Sequence, residues 1–144
     1  MARLNIVKSF FKSRKRIILD RDNIKPYLVR YYLLLKDRKH FPFNITLHKI
    51  LMSDETTLHS HPWNWGTVIL KGGYWEHTPD GKFWRGPGHI RFKKADSLHW
   101  LELGKDKDGK DIPCWSLFFM GKQKQEWGFK VNDKIIGHKE YLKQ

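Results

Sequence analysis

From Tyr27 onward the chain runs in short apolar and polar alternations separated by glycine, proline and polar clusters. Phe43 to Leu51 (FNITLHKIL) alternates with a period of two, which predicts a strand buried on one face. Tyr27 to Leu35 (YLVRYYLLL) is rich in aromatic and branched residues and predicts a buried strand; Asp22 followed by Pro26 also permits a helix starting there. Thr67 to Leu70, Gly72-Gly73 and Tyr74 to His77 read as a hairpin closed by a glycine turn. Further strands are predicted over His89–Lys93, His99–Leu103, Cys114–Met120, Gly128–Val131 and Lys134–Gly137. Between them, Gly104 to Asp111 (GKDKDGKD) is a polar turn: its aspartates lack the spacing and the closing glutamate of a calcium loop. Residues 3–16 follow a different period. Leu4, Ile6, Val7, Phe10 and Phe11 recur at helical spacing opposite Arg3, Lys8, Lys12, Arg14, Lys15 and Arg16, predicting a short basic amphipathic helix. Many short strands at regular intervals make the fold all-β: an antiparallel sandwich, jelly roll or barrel. The chain divides into a basic N-terminal helix or arm, 1–22, and one β-barrel domain, 23–144.

A length of 144 residues suits one domain with a real core. An apolar share of 40%, with nine Phe, seven Trp and five Tyr, excludes a disordered chain. No apolar run reaches the ~20 residues of a membrane span. Cys114 is the only cysteine, so no intramolecular disulfide can form. With no secretion signal, a cytoplasmic protein is expected, in the host cytoplasm if the source is viral. The net charge of +13 is uneven: residues 1–40 hold 12 Lys/Arg against 3 Asp. Such an excess attracts anions, including nucleotides, nucleic acid and acidic lipid, without choosing among them.

The chemistry concentrates on histidine. His59-Ser60-His61 places two imidazoles at i and i+2, which on an extended segment point to the same side. His99 follows, preceded by Gly88 and a turn at Lys94-Ala95-Asp96-Ser97-Leu98.

This layout resembles the cupin superfamily, antiparallel jelly-roll barrels with two short motifs. Gly88, five residues, Lys94-Ala95-Asp96, Ser97-Leu98 and His99 reproduce the spacing of the second motif, with Lys94-Ala95-Asp96 where the family has proline-x-glycine. Gly73 falls where the first motif closes. The family's carboxylate ligand maps to Trp65 or Gly66, neither of which can ligate, so the resemblance shifts toward three-histidine cupins of the cysteine-dioxygenase kind. His59-Ser60-His61-Pro62-Trp63 followed by Gly72-Gly73-Tyr74-Trp75-Glu76 is similar to small, poorly characterised cupins of phage and bacterial genomes. In these, Gly121 to Phe129 forms a closing hairpin, with Trp127 as core. The resemblance implies a divalent metal on His59, His61 and His99: Fe(II) if the protein is an enzyme, with Zn, Ni or Mn as alternatives. It implies a dioxygenase-like oxidation of a small anionic or chelating substrate, and a homodimer through sheet edges.

Two other readings stay open. In one, the barrel binds without turnover a nucleotide or other anion, with Trp63, Trp65, Trp84 and Trp100 stacking on a base and Arg85, Arg91, Lys93 and Lys94 meeting phosphates. Nucleic acid is a less favoured partner. The other is isomerisation or epimerisation of a sugar nucleotide, which needs a histidine base oriented by a carboxylate, a pair the sequence does not reveal. His48 is a further candidate on an alternating strand. Glu76, taken as Ile69's partner across a Gly72-Gly73 hairpin, lies up to ~26 Å along the strand from His61; it is read as a supporting or recognition group, or a surface residue, and not as a ligand. Cys114 is read as buried and inert.

Overall fold

The computed structural model describes residues 8–9, 12–34, 42–141 and 143. Its strands are β1 (Lys15–Leu19), β2 (Pro26–Tyr32), β3 (Asn44–Ile50), β4 (Trp63–Lys71), β5 (Tyr74–Thr78), β6 (Gly81–Arg85), β7 (Ile90–Lys93), β8 (Trp100–Leu103), β9 (Cys114–Gln123), β10 (Gly128–Val131) and β11 (Lys134–Gly137); a short helix, α1 (His138–Tyr141), follows. They form an antiparallel six-stranded sheet, β1-β2-β3-β9-β4-β7, a three-stranded sheet, β6-β5-β8, and a ribbon, β10-β11. No helix among the described residues is long and apolar enough to cross a membrane.

The alternation in the sequence decides which residues face inward. On β3, Asn44, Thr46, His48 and Ile50 are buried, while Ile45, Leu47 and Lys49 are only half-buried. Cross-strand register carries that inner row over the sheet, with His48 opposite Ser116 and Ser116 opposite Ile69. Leu28, Ile50, Ile69, Tyr74, Leu103 and Cys114, drawn from both sheets, form one apolar cluster. Burying side chains of this kind contributes about 1.5–3 kcal/mol each. Elsewhere the interior is polar: Thr46, His48, Thr67, Glu76, Arg91 and Ser116 are also buried.

The glycine pair is not a hairpin turn. β4 pairs with β9 and β7, whereas β5 pairs with β6 and β8, so Gly72-Gly73 hands the chain from one sheet to the other. Both glycines have positive φ, 83° and 136°. A Cβ on Gly72 would stand 2.4 Å from the Pro113 carbonyl oxygen, and one on Gly73 would stand 2.7 Å from that of Arg85. Only glycine fits both the backbone and the space. Glu76 therefore does not pair with Ile69; its partners are Phe83 and Leu101.

The N-terminal helix is also corrected. Lys8, Ser9, Lys12 and Ser13 have helical backbone, but Lys15 and Arg16 are extended and begin β1, and the rest of residues 3–16 apart from Arg14 lies outside the described residues. Since β1 pairs with β2 from Lys15↔Tyr31 to Leu19↔Pro26, the stretch read as an arm adds a strand to the barrel. The segment from Tyr27 is a strand as its composition predicts, but only as far as Tyr32: Leu33 and Leu34 bend away from it, and Leu35 lies outside the described residues.

Candidate metal centre

His59-Ser60-His61 precedes β4 and is tied down on both sides by backbone hydrogen bonds. His59 N donates to the His99 carbonyl at 2.9 Å and His99 N donates back to His59 at 3.1 Å. On the other side, Ser60 N reaches the Gly128 carbonyl and Lys130 N reaches that of Leu58, each at 2.8 Å. The segment is thus strand-like between His99 and β10, which directs the rings of residues 59 and 61 to the same side. His61 N also donates to the Ala95 carbonyl at 2.9 Å, fixing the turn before His99. Asn64 Oδ1 accepts from Ala95 N at 2.9 Å, and Gln125 Nε2 donates to the carbonyls of His61 (2.9 Å) and Ala95 (3.2 Å).

The three rings converge. One ligand nitrogen from each of His59, His61 and His99 lies within 4.8 Å of the others, and the Nε2 atoms of His61 and His99 are 2.9 Å apart. Two nitrogens at ~2.05 Å from one tetrahedral ion lie roughly 3.3 Å apart. A small outward rotation of the rings accommodates an ion, so the donor set fits a metal.

The charged surroundings point the same way. Glu76, only 2% exposed, places Oε1 2.8 Å from His99 Nδ1. That bond makes Nδ1 the protonated nitrogen and leaves the Nε2 lone pair facing His61, as a metal ligand requires. Glu76 Oε2 accepts from Arg85 Nε at 3.0 Å and from Arg91 Nη1, while Arg91 Nη2 donates to the Tyr74 hydroxyl at 3.2 Å. Behind His59, Asp54 Oδ2 stands 3.9 Å from the ring's Nε2; its carboxylate accepts from Leu101 N at 2.8 Å and from the Tyr27 hydroxyl. Burial pushes the Asp54 carboxyl up, and burial beside that carboxyl pushes the Tyr27 hydroxyl well up. Burial, followed by the neighbouring positive charges and imidazoles, holds His61 and His99 well below 6.5. Both are neutral near pH 7, the form that binds metal.

Aromatic rings wall the cluster. Trp65 lies 5.2 Å from the His61 ring and 5.0 Å from that of His99, and Phe118 lies 5.9 Å from His61. The buried Trp65 Nε1 has no hydrogen-bond partner among the described residues. His48 is buried and stacked on the other side of Phe118 at 4.9 Å, so it adjoins the triad without joining it. Trp127 is not core: it is 36% exposed and covers His59 edge-on at 5.8 Å.

The other sequence candidates separate. Glu76, Arg85 and His99 line one cavity of about 360 Å³ together with Lys93, and Arg91 reaches it through Glu76. Trp63 stands half-buried at the head of β4. Trp84 is 45% exposed and pairs with Trp75 across β5 and β6, on the outer face of the small sheet. Trp100 lies on that face too, stacked on His77 at 3.6 Å, so neither it nor Trp84 can stack on a ligand beside the triad. Cys114 is fully buried and burial pushes its thiol up to about 11, as an inert core residue. Glu76 and His99 are the carboxylate–histidine pair that the sequence conceals. Asp54, Tyr27 and Gln125 carry no motif, and only the tertiary contacts bring them to the site.

No family model matches the chain. Over 89 residues, 60% of the chain, it is 36% identical to UvrABC system protein C of Shewanella sediminis (strain HAW-EB3), spanning 11% of that protein's length. Among solved structures it is similar to a cupin-like protein of Ralstonia eutropha JMP134 (TM-score 0.57, 12% identity, 88% of this chain and 72% of that one). A cupin-2 domain from Rhodospirillum rubrum gives a TM-score of 0.56 at 14% identity over 73% and 66% of the two chains. FeII HppE gives 0.55 at 16% identity over 75% and 57%. Identities this low speak to the fold alone.

Proposed function

We propose that this chain, a cupin by its fold, holds one divalent metal ion on His59, His61 and His99 and uses it in a dioxygenase-like oxidation of a small anionic substrate. The observation that carries the reading is the convergence of three ligand nitrogens within 4.8 Å, with Glu76 fixing the tautomer of one of them. A divalent ion held by the imidazoles of His59, His61 and His99 would keep its charge uncompensated by a ligating carboxylate and would supply Lewis acidity and, as Fe(II), redox chemistry with dioxygen.

The chain's own residues do the rest. Glu76 orients His99, and Arg85 and Arg91 compensate the Glu76 charge in turn. Arg85 and Lys93 line the cavity beside His99, with Arg91 behind Glu76, against the carboxylates of Glu76 and the exposed Asp80; the surplus of one positive charge suits a carboxylate or phosphate. The Trp65 indole N–H is a buried donor available to a ligand oxygen. Trp65 and Phe118 exclude water from the imidazoles. The similar solved structure of FeII HppE carries Fe(II), in keeping with iron as one of the candidate ions.

The Glu76–His99 pair also meets the formal requirement for a proton-transferring base. The metal reading is preferred because His99 Nε2, the nitrogen such a base would use, faces His61 at 2.9 Å.

The test is elemental analysis of protein purified without chelator or affinity tag, beside His61→Ala. Near one equivalent of iron, zinc, nickel or manganese, abolished by the substitution, is expected, followed by oxygen consumption on adding small thiols. Wild-type protein that carries no metal and takes none up on reconstitution overturns the reading. It leaves the barrel as a binder of anions such as nucleotides, without turnover.

A further inference from the structure

We infer that Arg16, Arg30 and Tyr32 form a binding site for a phosphate group on the inner face of the large sheet, separate from the cavity beside His99. Register places Arg16 of β1 directly opposite Arg30 of β2, and Arg30 directly opposite the buried His48 of β3. Two like charges facing each other across a strand pair destabilise a sheet unless something compensates them. Among the described residues no carboxylate does: neither arginine belongs to any ion pair, in contrast to Arg85 and Arg91, which share Glu76. Tyr32 stands one inner-face position along β2, where, against the opposing effect of burial, the two guanidinium charges hold its hydroxyl below the usual phenol range, and Arg30 Nε donates to His48 Nε2 at 3.1 Å.

The constraint is directional. His48 is kept neutral by burial first and then by Arg30's charge, so it accepts a hydrogen bond and contributes no negative charge. Arg30 is half-buried and cannot swing freely into water, while Arg16 is exposed at the sheet edge, leaving an approach from outside. A carboxylate carries a single charge. A phosphate monoester carries about −1.5 to −2 near neutral pH and three acceptor oxygens, which suits two guanidiniums and a phenol. Arg30 adjoins His48, and His48 shares Phe118 with His61, so a molecule anchored here by its phosphate extends toward the triad along the inner face.

The site requires no metal, and the experiment keeps it apart from one. Inorganic phosphate is titrated calorimetrically into metal-free His61→Ala protein, with acetate at equal ionic strength as control. Saturable phosphate binding without matching acetate binding is expected. Adding Arg30→Gln or Arg16→Gln is expected to weaken it about tenfold, the loss of one charge-assisted contact. Lys122→Gln, which removes one exposed charge elsewhere, leaves it unchanged. Arg16 is exposed on an edge strand, so its variant reports even if Arg30→Gln does not fold. Phosphate binding that is present in metal-free wild-type protein and absent from His61→Ala places the anion at the triad and overturns the inference. So does binding that falls with Arg85→Gln and not with Arg16→Gln or Arg30→Gln, binding matched by acetate, or no binding.

Discussion

Glu76 Oε1 lies 2.8 Å from His99 Nδ1, and the opposite nitrogen of the same ring lies 2.9 Å from His61 Nε2. A carboxylate on β5 thereby sets the chemistry of two histidines that lie just ahead of β8 in the small sheet and β4 in the large one.

Glu76→Gln keeps the shape and a hydrogen bond but removes the charge. Metal affinity is expected to fall 10- to 100-fold, the usual effect of losing a carboxylate behind a ligating imidazole. Competition with a chromogenic chelator measures it. The variant also leaves Arg91 buried without its counter-charge, so its urea midpoint is expected to drop, by about 3–5 kcal/mol of stability. Unchanged affinity and midpoint in Glu76→Gln contradict the arrangement.

In metal-free protein, stability is expected to fall as pH drops below about 6.5. Burial holds His48, His61 and His99 below that value in the folded state. Below 6.5 the unfolded chain takes up protons that the folded chain refuses, so acid favours unfolding, by up to about 1.4 kcal/mol per pH unit for each histidine. Denaturant titrations at pH 7.5, 6.5 and 5.5 read the slope. A midpoint flat across that range would mean that the three imidazoles are not held neutral by the fold.

Gly72→Ala and Gly73→Ala each force a Cβ against a carbonyl oxygen in a backbone conformation that alanine resists. Each is expected to cost at least 1–3 kcal/mol, read by chemical denaturation. Gly109→Ala, with positive φ but open space around it, is expected to cost less. Equal losses at all three positions would assign the effect to backbone alone.

The Cys114 thiol, buried and with its ionisation pushed up to about 11, is expected to resist a thiol-reactive dye at pH 8 and to react promptly in denaturant. Fast labelling of native protein would show that the apolar end of the barrel opens readily.

The histidine spacing was legible because two local periods carry it: the i, i+2 alternation of an extended segment, and the short run from Gly88 through the turn to His99. Glu76 was not legible as the partner of His99. A glycine pair between two apolar runs looks the same whether the strands pair with each other or with strands elsewhere, and only β9, β7, β6 and β8 decide that. β1 was hidden because Lys15 and Arg16 continue a helical repeat until β2 recruits them. β6 was missed because Gly81 to Arg85 gains its place from β5 alone. Arg30 reads as one charge among many until register sets it against His48. The outward turn of Trp84 depends on the same kind of information, namely which of two faces meets the other sheet.

The double backbone bridge between His59 and His99 has a further consequence. His61 and His99 are separated by 38 positions, and the intervening chain contains β4 and β7 of the large sheet as well as β5 and β6 of the small one. An ion shared by these histidines is therefore a crosslink that closes a ring through both sheets. Closing a ring of that size limits the unfolded chain by about 4 kcal/mol in the loop-entropy picture. In a protein with a single cysteine, such an ion would do the work that a disulfide performs elsewhere, without needing an oxidising environment.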